Sequence, residues 1–219
     1  MLSFAVVASC AVDRPPEETT PDGLVRVPSR RDGGVYRAPD TAFTQYRRMI
    51  LEAPVITFAS GWRDNHKDLT DTEITRLRTE AVLLFRKEFT RELIDRGPYE
   101  YADAPAPDVL LVSVSIEDLD IAAPEAAAEP GMRTYAPGPV KMTLTGELHD
   151  SMTGKLVGRL IMFKRDERYG FNELRIANRV TNSHEESIAF ADWSRLLREA
   201  LDVAKVEGPR QKDVTSAPR

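Results

Sequence analysis

The sequence lacks cysteine pairs, long apolar runs and a basic stripe, and each absence argues against one class of protein. Cys10 is the single cysteine among 219 residues, so no internal disulfide can form. No apolar run approaches the roughly 18–20 residues that cross a bilayer, which argues against a transmembrane helix. The 30 basic and 35 acidic residues are interspersed, and the missing basic stripe argues against nucleic acid as a partner. The composition that remains, 42% hydrophobic and 30% charged, is typical of a globular domain.

An abrupt change of composition surrounds the lone cysteine. The nine residues before it, MLSFAVVAS, carry no charged side chain, whereas the segment DRPPEETTPD that soon follows consists of proline, threonine and charged residues. Val7-Ala8-Ser9-Cys10 resembles a bacterial lipobox, in which signal peptidase cleaves before the cysteine and a diacylglycerol is attached to it. We therefore predict that residues 1–10 are the remnant of a lipoprotein signal peptide and that Cys10 is the lipid-attachment site.

The neighbourhood of Cys10 leaves one alternative open. Only nine residues precede it and none is basic, whereas a secretory signal has a basic start and about 15–30 residues. An upstream start codon explains the difference; the alternative is a cytosolic protein with a chance cysteine. Residues 11–22 are predicted to be a flexible tether, because proline and acidic residues cannot bury enough apolar surface to fold. By resemblance to Gram-negative lipoproteins, Ala11 in place of aspartate favours the outer membrane, facing the periplasm.

Two long helices are predicted from capping signals and apolar spacing. Thr70 and Glu73 form a capping box, and apolar residues then recur every three or four positions. The second helix is predicted to start at Ser183, with Glu186 three residues further on and His184 in its first turn. Its apolar face is predicted to consist of Ala189, Trp193, Leu197, Leu201 and Ala204.

Alternating apolar and polar residues predict the strands. They lie at 49–58, where Pro54 indicates an edge or a bulge, at 99–102, at 109–121, and in a hairpin at 139–165. We predict an α+β fold for 23–208: a single domain and a two-layer α/β sandwich, in which two long helices cover one face of a mainly antiparallel sheet. Residues 123–138 are predicted to form a loop, and residues 209–219 a disordered tail.

The order of several motifs resembles a known family. The motifs are DGL at 22–24, GPYEYADAPAPDVL from Gly97, EDLDIAAP from Glu117, ELHDSMTGKLVGR from Glu147 and FADWSRLLREALD from Phe190. Together with the lipobox they are similar to the bacterial lipoproteins grouped as domain of unknown function 3313, over most of residues 22–205. The resemblance implies an envelope location and no established catalytic residues.

Candidate chemical sites are few and incomplete. His149-Asp150-Ser151 has the residue types of a hydrolytic triad, but neighbours at a strand end point in different directions and cannot form the relay. Gly154-Lys155 is followed by Leu156 and lacks the earlier glycine of a phosphate loop. We predict no catalytic residue and no cofactor.

The three histidines and the acidic residues offer no complete metal site. Asp64, His66 and Asp68 alternate in a polar segment before the first helix, yet no second cluster supplies further ligands, and no metal is predicted. The cluster Glu117–Asp120 closes a predicted strand, where it favours solubility over acid–base chemistry. Trp62 lies in the polar segment SGWRDN and is a candidate interaction residue if its indole is exposed.

Two classes of function follow from these observations. The first is a non-enzymatic, lipid-anchored envelope lipoprotein that binds an envelope protein or helps to maintain the envelope, with the membrane contacted through Cys10. The alternative is a soluble enzyme or small-ligand binder with a cleft near His66 or Glu117–Asp120. A weaker third hypothesis is a self-assembling module that pairs through the sheet edge near Pro54.

Overall fold

The structure is a computed structural model that describes residues 19–29, 33–122, 134–136, 140–164, 175–177 and 179–209. The predicted lipid-attachment residue Cys10, most of the predicted loop at 123–138 and the tail after 209 lie outside the described residues. The described strands are β1 Val25–Val27, β2 Gly33–Arg37, β3 Arg48–Leu51, β4 Val55–Phe58, β5 Glu100–Tyr101, β6 Val109–Ile121, β7 Thr134–Ala136, β8 Val140–Asp150, β9 Leu156–Lys164 and β10 Arg175–Ala177. The α-helices are α1 Trp62–Asn65, α2 Asp71–Phe89 and α3 Arg179–Glu207.

Eight of these strands form one mixed sheet in an α+β fold, which confirms the predicted class. The order is β1-β2-β9-β8-β6-β3-β5, with β4 also beside β6. The four pairings from β1 to β6 are antiparallel, whereas β3 and β4 run parallel to β6, and β5 runs parallel to β3. Strands β7 and β10 form a separate antiparallel pair.

Helices α2 and α3 cover one face of the sheet, because the strands alternate as predicted. In β8, Val140, Met142, Leu144 and Leu148 are buried in the same core as Phe85 of α2 and Trp193 of α3. Gly146 occupies the remaining inward position, where a Cβ atom would lie 2.3 Å from the Trp193 indole. The absence of a side chain at Gly146 therefore creates the space in which the indole packs.

The start of α2 is formed as predicted. The Thr70 side chain accepts a hydrogen bond from the Glu73 backbone N–H, and the Glu73 carboxylate accepts one from the Thr70 N–H at 2.7 Å. The capping box thereby satisfies two backbone donors that the helix leaves without partners. At its other end α2 passes into a π-helical segment, Thr90–Asp95, before Gly97.

The predicted start of α3 is wrong. The helix begins at Arg179, so Ser183 lies within it and His184 is its sixth residue, beyond the first turn. The Ser183-to-Glu186 spacing matches a capping box, but the preceding residues already have helical conformation, and Glu186 is buried instead of reaching back to a cap. The end after Glu207 is as predicted, with Gly208 in the left-handed conformation at φ +66°.

The predicted strand at 49–58 consists of two strands. Its first half is β3 and its second half is β4, with Pro54 between them, and both lie parallel to β6. Proline has no N–H for the ladder, so pairing stops there and resumes at Val55. The interruption leaves β4 with β6 as its only partner strand in the described part of the chain.

Residues 19–22, the end of the predicted tether 11–22, contact the sheet instead of remaining a tether. Thr19 forms a bridge to Val25 of β1, and Asp22 forms an ion pair with Arg159 of β9 at 2.7 Å. Among the described helices, none is both long enough and apolar enough to cross a membrane.

Candidate functional site

Trp62 begins the short helix α1 and is buried, contrary to the exposed indole expected from its polar neighbours. Its side chain is stacked between the rings of Phe58 in β4 and His66, with centroid distances of 4.2 and 4.4 Å. Its Nε1–H donates a hydrogen bond to the Ile121 carbonyl at 3.1 Å, and the residue is only 3% exposed. The Trp62 side chain therefore holds α1 in contact with the end of β6.

His66 has a defined role in the same corner of the molecule. Its Nδ1 lies 2.8 Å from the Trp62 carbonyl oxygen, which only accepts, so Nδ1–H is the donor of this hydrogen bond. Asp64 is exposed, and no group of three or more His, Cys, Asp or Glu side chains that could hold a metal occurs among the described residues.

A groove of about 500 Å³ opens beside this aromatic stack, and we call it the β4 groove. Strand β4 forms one wall, α1 the floor, and the first two turns of α2 the other wall. The side chains that line it include Thr57, Phe58, Trp62, Asp64, Ile74 and Arg78. Its volume lies within the range of about 300–1,000 Å³ that is usual for ligand sites.

The charges along the β4 groove are unevenly paired. Arg63 forms an ion pair with Asp71 at 3.5 Å and donates to the Leu69 carbonyl oxygen. The Arg78 guanidinium lies 5.3 Å from the centre of the Phe58 ring, a cation–π contact. Neither Arg78 nor Asp64 forms an ion pair with any residue that the structure describes. One cation and one anion on the groove are therefore available to an outside partner.

The acidic cluster Glu117–Asp120 lies at a bulge inside β6, four residues before the strand ends at Ile121. Asp118 has φ +51°, and the register against β8 shifts between Glu117 and Asp120. Glu117 accepts a hydrogen bond from Ser115 Oγ at 2.7 Å. The bulge returns Leu119 and Ile121 to the buried face of the sheet. The Glu117 and Asp118 carboxylates are exposed to solvent.

The His149-Asp150-Ser151 side chains serve the hairpin turn separately. Asp150 accepts hydrogen bonds from Tyr46 and from the Thr153 backbone and hydroxyl groups, whereas Ser151 Oγ donates to the Ala106 carbonyl oxygen. Burial raises the pKa of Asp150, but these hydrogen bonds outweigh burial and hold the pKa below its usual range. The three residues do not form the relay of a hydrolytic triad.

Three buried carboxyl groups between α2 and α3 were missed by the sequence analysis. Glu88 accepts a hydrogen bond from Ser187 at 2.7 Å, and Glu92 forms an ion pair with Arg96 at 2.8 Å. Glu186 forms no ion pair with the described residues, and burial, together with the nearby Glu80, raises its pKa to about 7. Glu88 and Glu92 continue the three- and four-residue spacing of the apolar stripe, and this spacing could have predicted that they are buried.

A second cavity, of only about 30 Å³, lies between the sheet and the last turns of α3. Its walls are apolar except for Arg37 and Arg159. Arg37 is buried and forms an ion pair with Glu207 at 2.7 Å. The space is therefore too small for an organic ligand.

The fold places the chain among α+β proteins with helices on one face of a mixed sheet. No protein-family model matches the chain, and no curated protein does. Among solved structures it is similar to two dodecamers of PelC from Paraburkholderia phytofirmans. The first is 15% identical, with a TM-score of 0.35, over 76% of this chain and 97% of that one. The second is 13% identical, with a TM-score of 0.34, over 74% and 96%.

Proposed function

We propose that this chain is a non-enzymatic, lipid-anchored lipoprotein of the bacterial cell envelope whose folded domain binds another protein. The observation that carries the proposal is the sequence Val7-Ala8-Ser9-Cys10 at the boundary between an apolar and a proline-rich, charged segment. Attachment of diacylglycerol to Cys10 would place the domain at the outer membrane, facing the periplasm. The resemblance to the domain of unknown function 3313 lipoproteins supports the same location.

The first described contact of the chain is compatible with such an anchor. Thr19 forms a bridge to Val25 of the edge strand β1, and it lies nine residues after Cys10. Nine extended residues reach at most about 30 Å. An anchored domain would therefore remain close to the membrane surface, where a partner in the same envelope layer can be contacted.

The proposal is tested by the intact mass of the protein produced from its native locus, upstream DNA included. We expect a mature chain that begins at Cys10 and carries the mass of attached acyl chains, and a membrane-associated fraction. The matched Cys10→Ala variant should lack both. An unmodified chain that still contains the residues before Cys10 would refute the lipid anchor.

The alternative of a small-ligand binder or enzyme is favoured by one observation, the β4 groove next to His66. The exposed Arg78 and Asp64 and the Thr57 hydroxyl line that groove and are groups that a polar ligand would use. Saturable binding of a small molecule that Arg78→Ala weakens, in a protein without acyl chains, would favour this alternative.

A further inference from the structure

We propose that the chain forms a two-fold symmetric dimer in which the β4 strands of two copies pair antiparallel. The inference does not rest on the lipid anchor, because it depends only on the sheet edge and on the β4 groove. Strand β4 has one partner strand among the described residues, β6, and its other side is an open edge of the sheet. Such an edge presents backbone donors and acceptors that a second chain can pair with.

In the eight-stranded sheet, as far as the structure describes the chain, the three strands β1, β4 and β5 have an open side and differ in how that side is protected. Strand β1 carries Arg26 and is bridged by Thr19, and the two-residue strand β5 carries Glu100. Strand β4, with the sequence VITF, has no charge, and each of its residues is of a type enriched in strands. Pro54 lies just before β4 and does not interrupt it. Of the three, β4 is therefore the one without a charged residue to discourage pairing.

The choice of a second copy as the occupant follows from charge complementarity. An isologous interface uses the same patch on both subunits, so the patch must complement itself. The β4 groove carries a cation, Arg78 on α2, and an anion, Asp64 on α1, and neither forms an ion pair with the described residues. A two-fold axis across β4 lets each copy's Arg78 meet the other copy's Asp64. A purely acidic or purely basic partner would leave one of the two unmatched.

Apolar surface at the edge adds to the pairing. Val55, the first residue of β4, is 63% exposed, and Phe58 at the other end is partly buried beneath Arg78. Burying these side chains against a second β4 removes apolar area from water. Because a four-residue strand pair is smaller than a standard interface of about 1,200–2,000 Å², we expect a dissociation constant on the order of 1–100 µM.

The test is sedimentation equilibrium of the full chain with Cys10→Ala, so that no acyl chain contributes to association. Samples from about 1 to 300 µM cover the expected dissociation constant. We expect a monomer–dimer equilibrium, and Val55→Lys and Arg78→Glu should each weaken it by about tenfold or more. The double variant Arg78→Glu/Asp64→Arg should restore the dimer, because it exchanges the two charges.

Two controls separate the interface from general effects of charge. Val206→Lys changes a valine that is 89% exposed at the end of α3, and Lys87→Glu reverses an exposed charge on α2 outside the groove. Both should leave the association unchanged, and all variants should keep the melting temperature of the parent. A monomer throughout the range, a larger assembly, a dimer insensitive to Val55→Lys and Arg78→Glu, or a failed charge exchange would each overturn the proposal.

Discussion

Helix α2 turns one stripe of its surface towards the core, whereas α3 is buried on almost every side of its central turns. The buried residues of α2 are Leu77, Ala81, Phe85, Glu88 and Phe89. Those in the middle of α3 are Ala189, Phe190, Ala191, Trp193, Ser194, Leu196 and Leu197. The apolar stripe and capped start of α2 can be recognised from the local sequence. The ends of α3 depend on the elements that pack around it, so the local sequence does not predict them.

The largest expected effect is at the centre of α3. Replacing Trp193, which is fully buried against Gly146 and Phe85, with Ala should lower the free energy of unfolding by about 3–5 kcal/mol, because it leaves a cavity. Urea denaturation measures the loss. Leu83→Ala, on the 61% exposed side of α2, is the control and should change stability by less than about 0.5 kcal/mol. An equal loss of unfolding free energy in the two variants would contradict the burial of Trp193 and the exposure of Leu83.

A smaller loss is expected when the strand, rather than the helix, is changed. Gly146→Ala introduces a Cβ atom 2.3 Å from the Trp193 ring and should cost about 1–3 kcal/mol through overpacking. A double-mutant cycle with Trp193→Phe should show coupling of at least about 0.5 kcal/mol. Additive effects would mean that the indole does not pack on the Gly146 backbone.

The buried carboxyl group of Glu186 should make stability fall as pH rises. Its pKa is raised from the ordinary value of 4.5 to about 7 in the folded state, so within this window the unfolded chain loses the proton and the folded chain keeps it. The stabilisation is fully present below pH 4.5 and is lost as pH passes through 7. Glu186→Gln should therefore be more stable than the parent by about 1–2 kcal/mol at about pH 8, and equal to it at about pH 4.

Unfolding by urea at several pH values measures this effect, and Glu199→Gln, at an exposed position of α3, provides the control. The control should follow the parent at every pH. A Glu186→Gln variant with the same pH dependence as the parent would show that the carboxyl is not buried between the two helices.

The smallest expected effect compares the two predicted helix starts. Thr70→Ala removes the side-chain cap of α2 and should cost about 1 kcal/mol. Ser183→Ala, at a position inside α3, should change stability by less than about 0.5 kcal/mol. Thermal denaturation of the two variants side by side compares them. A larger loss at Ser183 than at Thr70 would contradict the observed start of α3 at Arg179.

Much of the fold could be predicted because its signals are local. The alternation in β6 and in the β8–β9 hairpin, and the capping box at Thr70, each depend on residues adjacent in the sequence, and the structure confirms them. The parallel pairing of β3 and β4 with β6 could not be predicted in this way. Strand partners far apart in the chain are selected by packing, which leaves no signature in either strand alone.

The candidate site shows the same limit. Trp62 lies in the polar segment SGWRDN, which suggested exposure, yet its ring is buried and donates a hydrogen bond to Ile121 of β6, 59 residues further along the chain. The β4 groove likewise exists because α2 begins beside an edge strand from an earlier part of the chain. The composition of neighbouring residues indicates whether a segment is polar, but it does not predict which distant element will pack against a given side chain.

The sequence by itself determined where α2 begins, which residues of β6 and β8 face inwards, and the lipobox-like segment from which the anchor at Cys10 is proposed. These features follow from interactions between near neighbours or from a linear motif, so their physical causes are written in consecutive residues. Only the tertiary structure decided the burial of Trp62 and Glu186, the open edge at β4, and the positions of Arg78 and Asp64 on the same groove. These features depend on which elements pack against each other, and that packing involves segments that are far apart in the sequence.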